Sequence, residues 1–168
     1  MKLSLIVLGV IVVLAGIIVL VGTLLPRQHT ATRGRRIHAT PEQVWAAITT
    51  VEAFPSWRDI KHVDVLPPRN GHRVWRETDK HGNAITFEAV EEVAPRHLVT
   101  RIDPGLPFGG SWTWELAPAP ENECELTITE NGEIYNPLFR FMARFVFGYT
   151  STMDGVLAGL DKKLSRAA

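Results

Sequence analysis

The chain is 168 residues long, with 18 basic side chains against 18 acidic ones and one cysteine, Cys124. Balanced charge removes the electrostatic argument for a nucleic-acid partner. A lone cysteine excludes an intrachain disulfide.

The first residues differ from all the rest. Leu3 to Leu25 reads LSLIVLGVIVVLAGIIVLVGTLL, without a charged side chain. Roughly 20 apolar residues cross a bilayer as a helix, so the run is long enough. A cleaved signal peptide has an apolar core of about 7–15 residues and a small-x-small site. This run is longer, and the residues around Gly22-Thr23 fit such a site poorly. Residues 1–25 are therefore expected to form an uncleaved, single-pass membrane anchor. Gly9, Gly16 and Gly22 lack GxxxG spacing, so they carry no dimerisation argument, and the oligomeric state is not legible. Arg27, Arg33, Arg35 and Arg36 follow the span, against Lys2 before it. The positive-inside rule then favours a cytoplasmic domain, with an exported domain behind a signal anchor left open. Residues 26–32 are expected to be a linker and 33–168 a single domain, large enough for its own core.

Residues 33–39 can make a first strand. Thr40 is then a plausible N-cap, with Pro41 at the first helical position and Gln43 completing a capping box. Val44, Trp45, Ile48 and Val51 follow at helical spacing. Pro55 should end that helix, since it lacks an N–H and biases Phe54 away from helical angles. A second short turn through Trp57 follows, with Phe54 and Trp57 plugging the corner. From Ile60 the period drops to two. Residues 61–67, 72–80, 84–93, 97–103, 109–117 and 123–135 read as strands. Gly, Pro and Asn clusters between them predict an antiparallel meander. After Asn136-Pro137 the pattern predicts one long helix over 138–165, with small residues Gly148, Thr152, Gly155 and Gly159 along one face. Helical glycine costs about 1 kcal/mol against alanine, so that stripe points to a close approach or to space left for something else.

The order strand, two short helices, six strands and a closing helix resembles the helix-grip fold of the START-like (SRPBCC) superfamily. Polyketide cyclase/dehydrase and Bet v 1-like proteins belong to it. IHATPEQVWAAITTVEAFPSW is similar to that superfamily's first strand and helix pair. TITENGEIYNPLFRFMARFVFGYTSTMDGVLAGL is similar to the last strand and closing helix of its membrane-tethered members. The resemblance covers about Arg33 to Leu164. It implies an α+β fold, with a curved antiparallel sheet of about seven strands around a long C-terminal helix. An apolar cavity would lie between them. It also implies a hydrophobic small molecule or lipid as ligand. It leaves catalysis open, because only some members are enzymes.

On that basis Trp57, Phe87, Trp112, Trp114, Leu126, Ile128, Glu130, Phe141 and Phe145 are expected to line the cavity. The alternative is that the same side chains close into a packed core. Leu106 and Phe108, in the Pro/Gly-rich loop DPGLPFGG, are expected to form a gate. They could equally dip into a membrane surface or tuck into the core. Arg140 and Arg144 start the last helix and could meet lipid headgroups, or simply lie on a solvent face.

Chemistry is sparsely signalled. The six histidines show no metal-ligand spacing, and no nucleotide-binding or nucleophile-elbow motif occurs. No cofactor and no metal site is expected. Cys124 stands between Glu123 and Glu125, where negative charge disfavours a thiolate. Glu130 alone is a catalytic candidate: alternation with Leu126 and Ile128 points it inward, and Arg140 could partner it. It could act as general acid or base, or orient a ligand hydroxyl. A structural Glu–Arg pair, or a bulge near Asn131-Gly132, would remove that role. A non-catalytic binding module is favoured. A cyclase/dehydratase-type enzyme and an interaction protein of a membrane complex are the alternatives.

Overall fold

The computed structural model describes residues 2–165. It begins with helix α1, Lys2–Leu24, followed directly by strand β1, Gln28–Ile37. Helix α2, Pro41–Thr49, and a 3₁₀ turn, Val51–Ser56, precede six further strands. These are β2 (His62–Arg69), β3 (His72–Thr78), β4 (Ala84–Val93), β5 (His97–Ile102), β6 (Phe108–Ala119) and β7 (Glu123–Ile134). The chain closes with α3, Pro137–Met142, a π-helical turn, Ala143–Phe147, and α4, Ser151–Leu164. The strands form one sheet in the order β1-β7-β6-β5-β4-β3-β2, every neighbouring pair antiparallel. This is the α+β helix grip, with an apolar helix in front of it.

The start of α2 follows its sequence signal. Thr40 accepts a hydrogen bond from the Gln43 amide, and the Gln43 side chain accepts one from the Thr40 amide. Its end does not. α2 stops at Thr49, before Pro55, because Thr50 leaves the helical region at φ −83°, ψ 81°. The freed Thr49 carbonyl accepts from Arg73 Nη1 at 2.7 Å. Pro55 sits inside the 3₁₀ turn instead.

Two further expectations are corrected. Residues 28–32 are not linker: β1 pairs with β7 from Gln28↔Glu133 onward. Their alternation is hidden because the inner positions of 28–32 are only His29 and Ala31, and those that follow carry charge. Arg33 Nε meets Asp154 at 3.2 Å and Arg35 Nη1 meets Asp161 at 3.2 Å, both on α4. The closing helix is also not continuous. The π turn shifts the helical register after Met142, and Gly148 takes φ 73°. That left-handed conformation ends a right-handed helix. The chain restarts as α4 at Ser151.

The core fills one end of the sheet's concave face. Ile37, Leu98, Leu116, Cys124, Leu126 and Ile128 pack there, against Val44 and Ile48 of α2 and Met153, Val156, Leu157 and Leu160 of α4. Each such side chain contributes roughly 1.5–3 kcal/mol when fully buried. α4 packs on this end and reaches the other only with its first residues, Ser151 and Thr152, beside α3 and the π turn.

Candidate functional site

Beneath that second end lies a cavity of about 600 Å³. Its sheet wall is apolar and aromatic, with Trp75, Phe87, Leu98, Trp112 and Trp114 contributing. Phe54 closes it from the 3₁₀ turn, and Phe139, Phe147 and Tyr149 close it from the C-terminal segment. Polar groups interrupt the wall, Thr100, Ser111 and Glu133 among them, and two paired clusters stand out.

The first is His29 with Glu130, on neighbouring strands β1 and β7. His29 Nε2 lies 3.3 Å from Glu130 Oε1. The imidazole stacks on Tyr149, centroids 4.0 Å apart. Both side chains are mostly buried, at 11% and 22% exposure. Among the described residues no other side chain bonds to Glu130. A carboxylate and an imidazole in contact can pass a proton to or from a bound hydroxyl or carbonyl.

The second is Glu77 with Arg58. Glu77 Oε1 accepts from Arg58 Nη1 and from Trp75 Nε1, each at 2.9 Å. The Arg58 guanidinium lies 4.7 Å from the Phe54 ring centroid. This buried pair is satisfied internally, as a buried carboxylate must be. It holds the 3₁₀ turn against β3.

The anticipated lining residues divide. Phe87, Trp112, Trp114 and Glu130 line the cavity, and so does Phe108 at the start of β6. Leu126 and Ile128 share the inward face but lie at 0% exposure in the packed end, away from the cavity. Trp57 faces α4: it meets Phe54 edge-on at 5.5 Å, and Lys163 Nζ lies 5.8 Å from its ring. Gly159 admits this approach, since a Cβ there would collide with the Trp57 carbonyl. Phe141 and Phe145 pack on each other at 4.9 Å, outside the cavity, while Phe139, Ala143 and Phe147 of the same segment face it. Leu106 is half-buried and does not reach the cavity.

Arg140 does not partner Glu130. It is buried and donates through Nη1 to the Leu25 carbonyl at 2.7 Å. His29, Arg58, Glu77 and Tyr149 escaped the sequence reading. Alternation from Trp75 would have found Glu77, while His29 was hidden by assigning its segment to a linker.

Cys124 is fully buried on β7, and burial pushes its thiol up to about 11. It is therefore a poor nucleophile. Among the described residues no group of three or more His, Cys, Asp or Glu side chains could hold a metal ion.

Comparison with solved structures gives the same fold at low identity. A START superfamily protein from Mycobacterium smegmatis superposes with TM-score 0.68 at 15% identity, covering 83% of this chain and 99% of that one. Zhui aromatase/cyclase from Streptomyces sp. R1128 gives 0.65 at 14%, covering 83% and 94%. Norcoclaurine synthase from Thalictrum flavum gives 0.64 at 8%, covering 82% and 87%. At such identities the likeness establishes fold alone. A comparison with curated proteins gives no match. The family model described as polyketide cyclase / dehydrase and lipid transport matches residues 28–165, the whole sheet together with α2, α3 and α4. This chain belongs to that family.

Proposed function

We propose that the chain is a membrane-tethered START-like domain that takes a hydrophobic small molecule or lipid into the cavity between sheet and C-terminal segment. One observation carries the reading: a largely apolar space of about 600 Å³, inside the roughly 300–1,000 Å³ range of small-molecule sites. Phe87, Trp112 and Trp114 form its apolar wall, and His29 with Glu130 gives it one polar end. A mostly apolar guest with one hydroxyl or carbonyl fits that division. Phe108, at the end of the Leu106–Phe108 loop, acts as a gate residue.

α1 supports the tether. It is 23 residues long, without a charged side chain after Lys2, and exposed on nearly every side. A tether keeps the cavity close to the bilayer and raises the effective concentration of membrane-soluble ligands. The arginines that follow α1 favour a cytoplasmic domain.

The test is native mass spectrometry and organic extraction of the full chain purified in mild detergent. An apolar molecule should co-purify, and Trp112→Ala should lower its occupancy. A chain that stays empty after incubation with membrane extract would sink the reading.

The His29–Glu130 contact favours a second reading, an enzyme of the cyclase/dehydratase type. There the pair would remove a proton beside a carbonyl and return it to a departing hydroxyl. Glu130→Gln should then keep the guest and lose turnover. Unchanged turnover in that variant removes the enzyme reading.

A further inference from the structure

α1 is not evenly exposed. Ile18, Val21 and Gly22, with Leu25 just beyond its end, lose exposure together, at the i, i+3, i+4, i+7 spacing of one helix face. That face packs on α3. Gly22 is the buried residue of α1, and a Cβ there would collide with the Pro137 backbone. Arg140 of α3 fastens the same junction through the Leu25 carbonyl. The contact covers the last two turns of α1. At 1.5 Å per residue, Ile18 lies about 9 Å from Leu24 along the axis. Helices that lie in the plane of a membrane bury their apolar face about 5–10 Å deep. α3 is therefore attached to the span at the depth of an interfacial helix.

The segment carried there is suited to lipid. From Pro137 to Ser151 it has no acidic residue. Phe145, Val146 and Phe147 are 58–61% exposed, and Leu138 and Phe139 are exposed beside them. Arg144, also exposed, is placed to meet anionic headgroups. The same segment bounds the opening of the cavity. Of the lining residues, those that remain exposed are Phe139, Phe147, Gly148 and Ser151 from this stretch, with Thr152 directly after it.

We infer that α3 and the π turn sit in the bilayer surface that α1 enters, so that the cavity opens toward lipid and its guest passes directly between membrane and protein. The inference rests on the membrane-tethered binding reading and adds where the mouth points.

The full chain, reconstituted in phosphatidylcholine/phosphatidylglycerol vesicles, provides the test. Phe145→Cys and Val146→Cys are labelled with an environment-sensitive fluorophore, the buried Cys124 thiol being left unmodified. Val65→Cys is the control, because Val65 is exposed on β2, at the sheet edge opposite β1. Nitroxide-bearing lipids should quench the 145 and 146 labels severalfold more than the 65 label, and aqueous iodide should do the reverse. Equal iodide quenching at all three positions overturns the inference. So does iodide protection without lipid quenching that grows with protein density, since a second copy would then cover the segment. If a guest co-purifies in detergent while the 145 and 146 labels stay in water, the inference fails and the binding reading survives. Lipid-quenched labels on a chain that never holds a guest do the opposite, sparing the membrane seat and sinking the binding reading.

Discussion

Gly132 decides whether the polar end of the cavity exists. It stands opposite His29 in the β1–β7 register. A Cβ there would strike the imidazole and come within 2.9 Å of Glu130 Oε1. Gly132→Ala should therefore push His29 off both Glu130 and Tyr149. Overpacking of this kind costs about 1–3 kcal/mol. Gly34→Ala is the matched control on β1, where a Cβ would meet Thr127 Oγ1 at an ordinary 3.5 Å, so its effect should stay within about 0.5 kcal/mol. Urea denaturation of both variants, with guest occupancy, checks this. Equal stability and equal occupancy would deny the packing argument. Glu130 itself was legible, because simple alternation from Leu126 and Ile128 points it inward. His29 was not, because the inner face of its strand runs His29, Ala31, Arg33, Arg35 and shows no apolar period. With arginines rather than apolar residues following on that face, the polar run from Gln28 to Thr32 looks, in sequence, like a solvated linker.

At the scale of elements, α4 contains two glycines with opposite consequences. Gly159 lets the Trp57 carbonyl approach the helix, and that backbone atom ends the 3₁₀ turn and cannot swing aside. A Cβ at Gly155 meets nothing within 4 Å. Gly159→Ala should destabilise by about 1–3 kcal/mol through overpacking. Gly155→Ala should stabilise by up to about 1 kcal/mol by restricting the unfolded chain and improving helix propensity. Opposite shifts in melting temperature are expected, and a shift of the same sign in both would refute the assignment. The same ambiguity explains what the sequence hid. Gly148, Gly155 and Gly159 share a helical face on paper, yet one breaks the helix, one is idle and one admits a neighbour. The stretch FRFMARFVF is apolar in nearly every direction and satisfies any helical register, so neither the π turn nor the break was readable. Strands β2 to β7, by contrast, were legible to within two residues, because alternation and turn residues mark the same boundaries.

Across the whole molecule, the two faces of the sheet hold different kinds of interaction. The concave face is mostly apolar, its charges confined to the cavity lining and to β1, while the convex face of β2 to β5 is tied by charge. Glu88, at 4% exposure, accepts from His72 Nδ1 at 2.7 Å and from Arg101 Nη2 at 3.2 Å. Arg69 grips Asp103 through two bonds of 2.8 and 2.9 Å and lies 3.7 Å from Glu88. The hydrogen bond from His72, then the Arg101 guanidinium, holds the Glu88 carboxyl below its ordinary value, and Arg69 does the same for Asp103. Asp79, bonded by Asn83 in the β3–β4 turn, is lowered as well. Carboxyls lowered in the folded state bind fewer protons there than in the unfolded chain. Stability must then rise with pH through the window where the two states differ. The contribution is complete above the ordinary carboxylate range, near pH 4–4.5, and is lost as pH falls through the folded values. Urea unfolding of the full chain in detergent should give a flat midpoint from about pH 7 to 5 and a steep fall below about pH 4. Glu88→Gln/Asp103→Asn should lower the neutral midpoint and flatten the acid limb, because it removes both the bonds and the protons that break them. An acid limb as steep as that of the parent chain would locate acid sensitivity elsewhere. It would also reduce the convex network to surface pairs of the kind that contribute little.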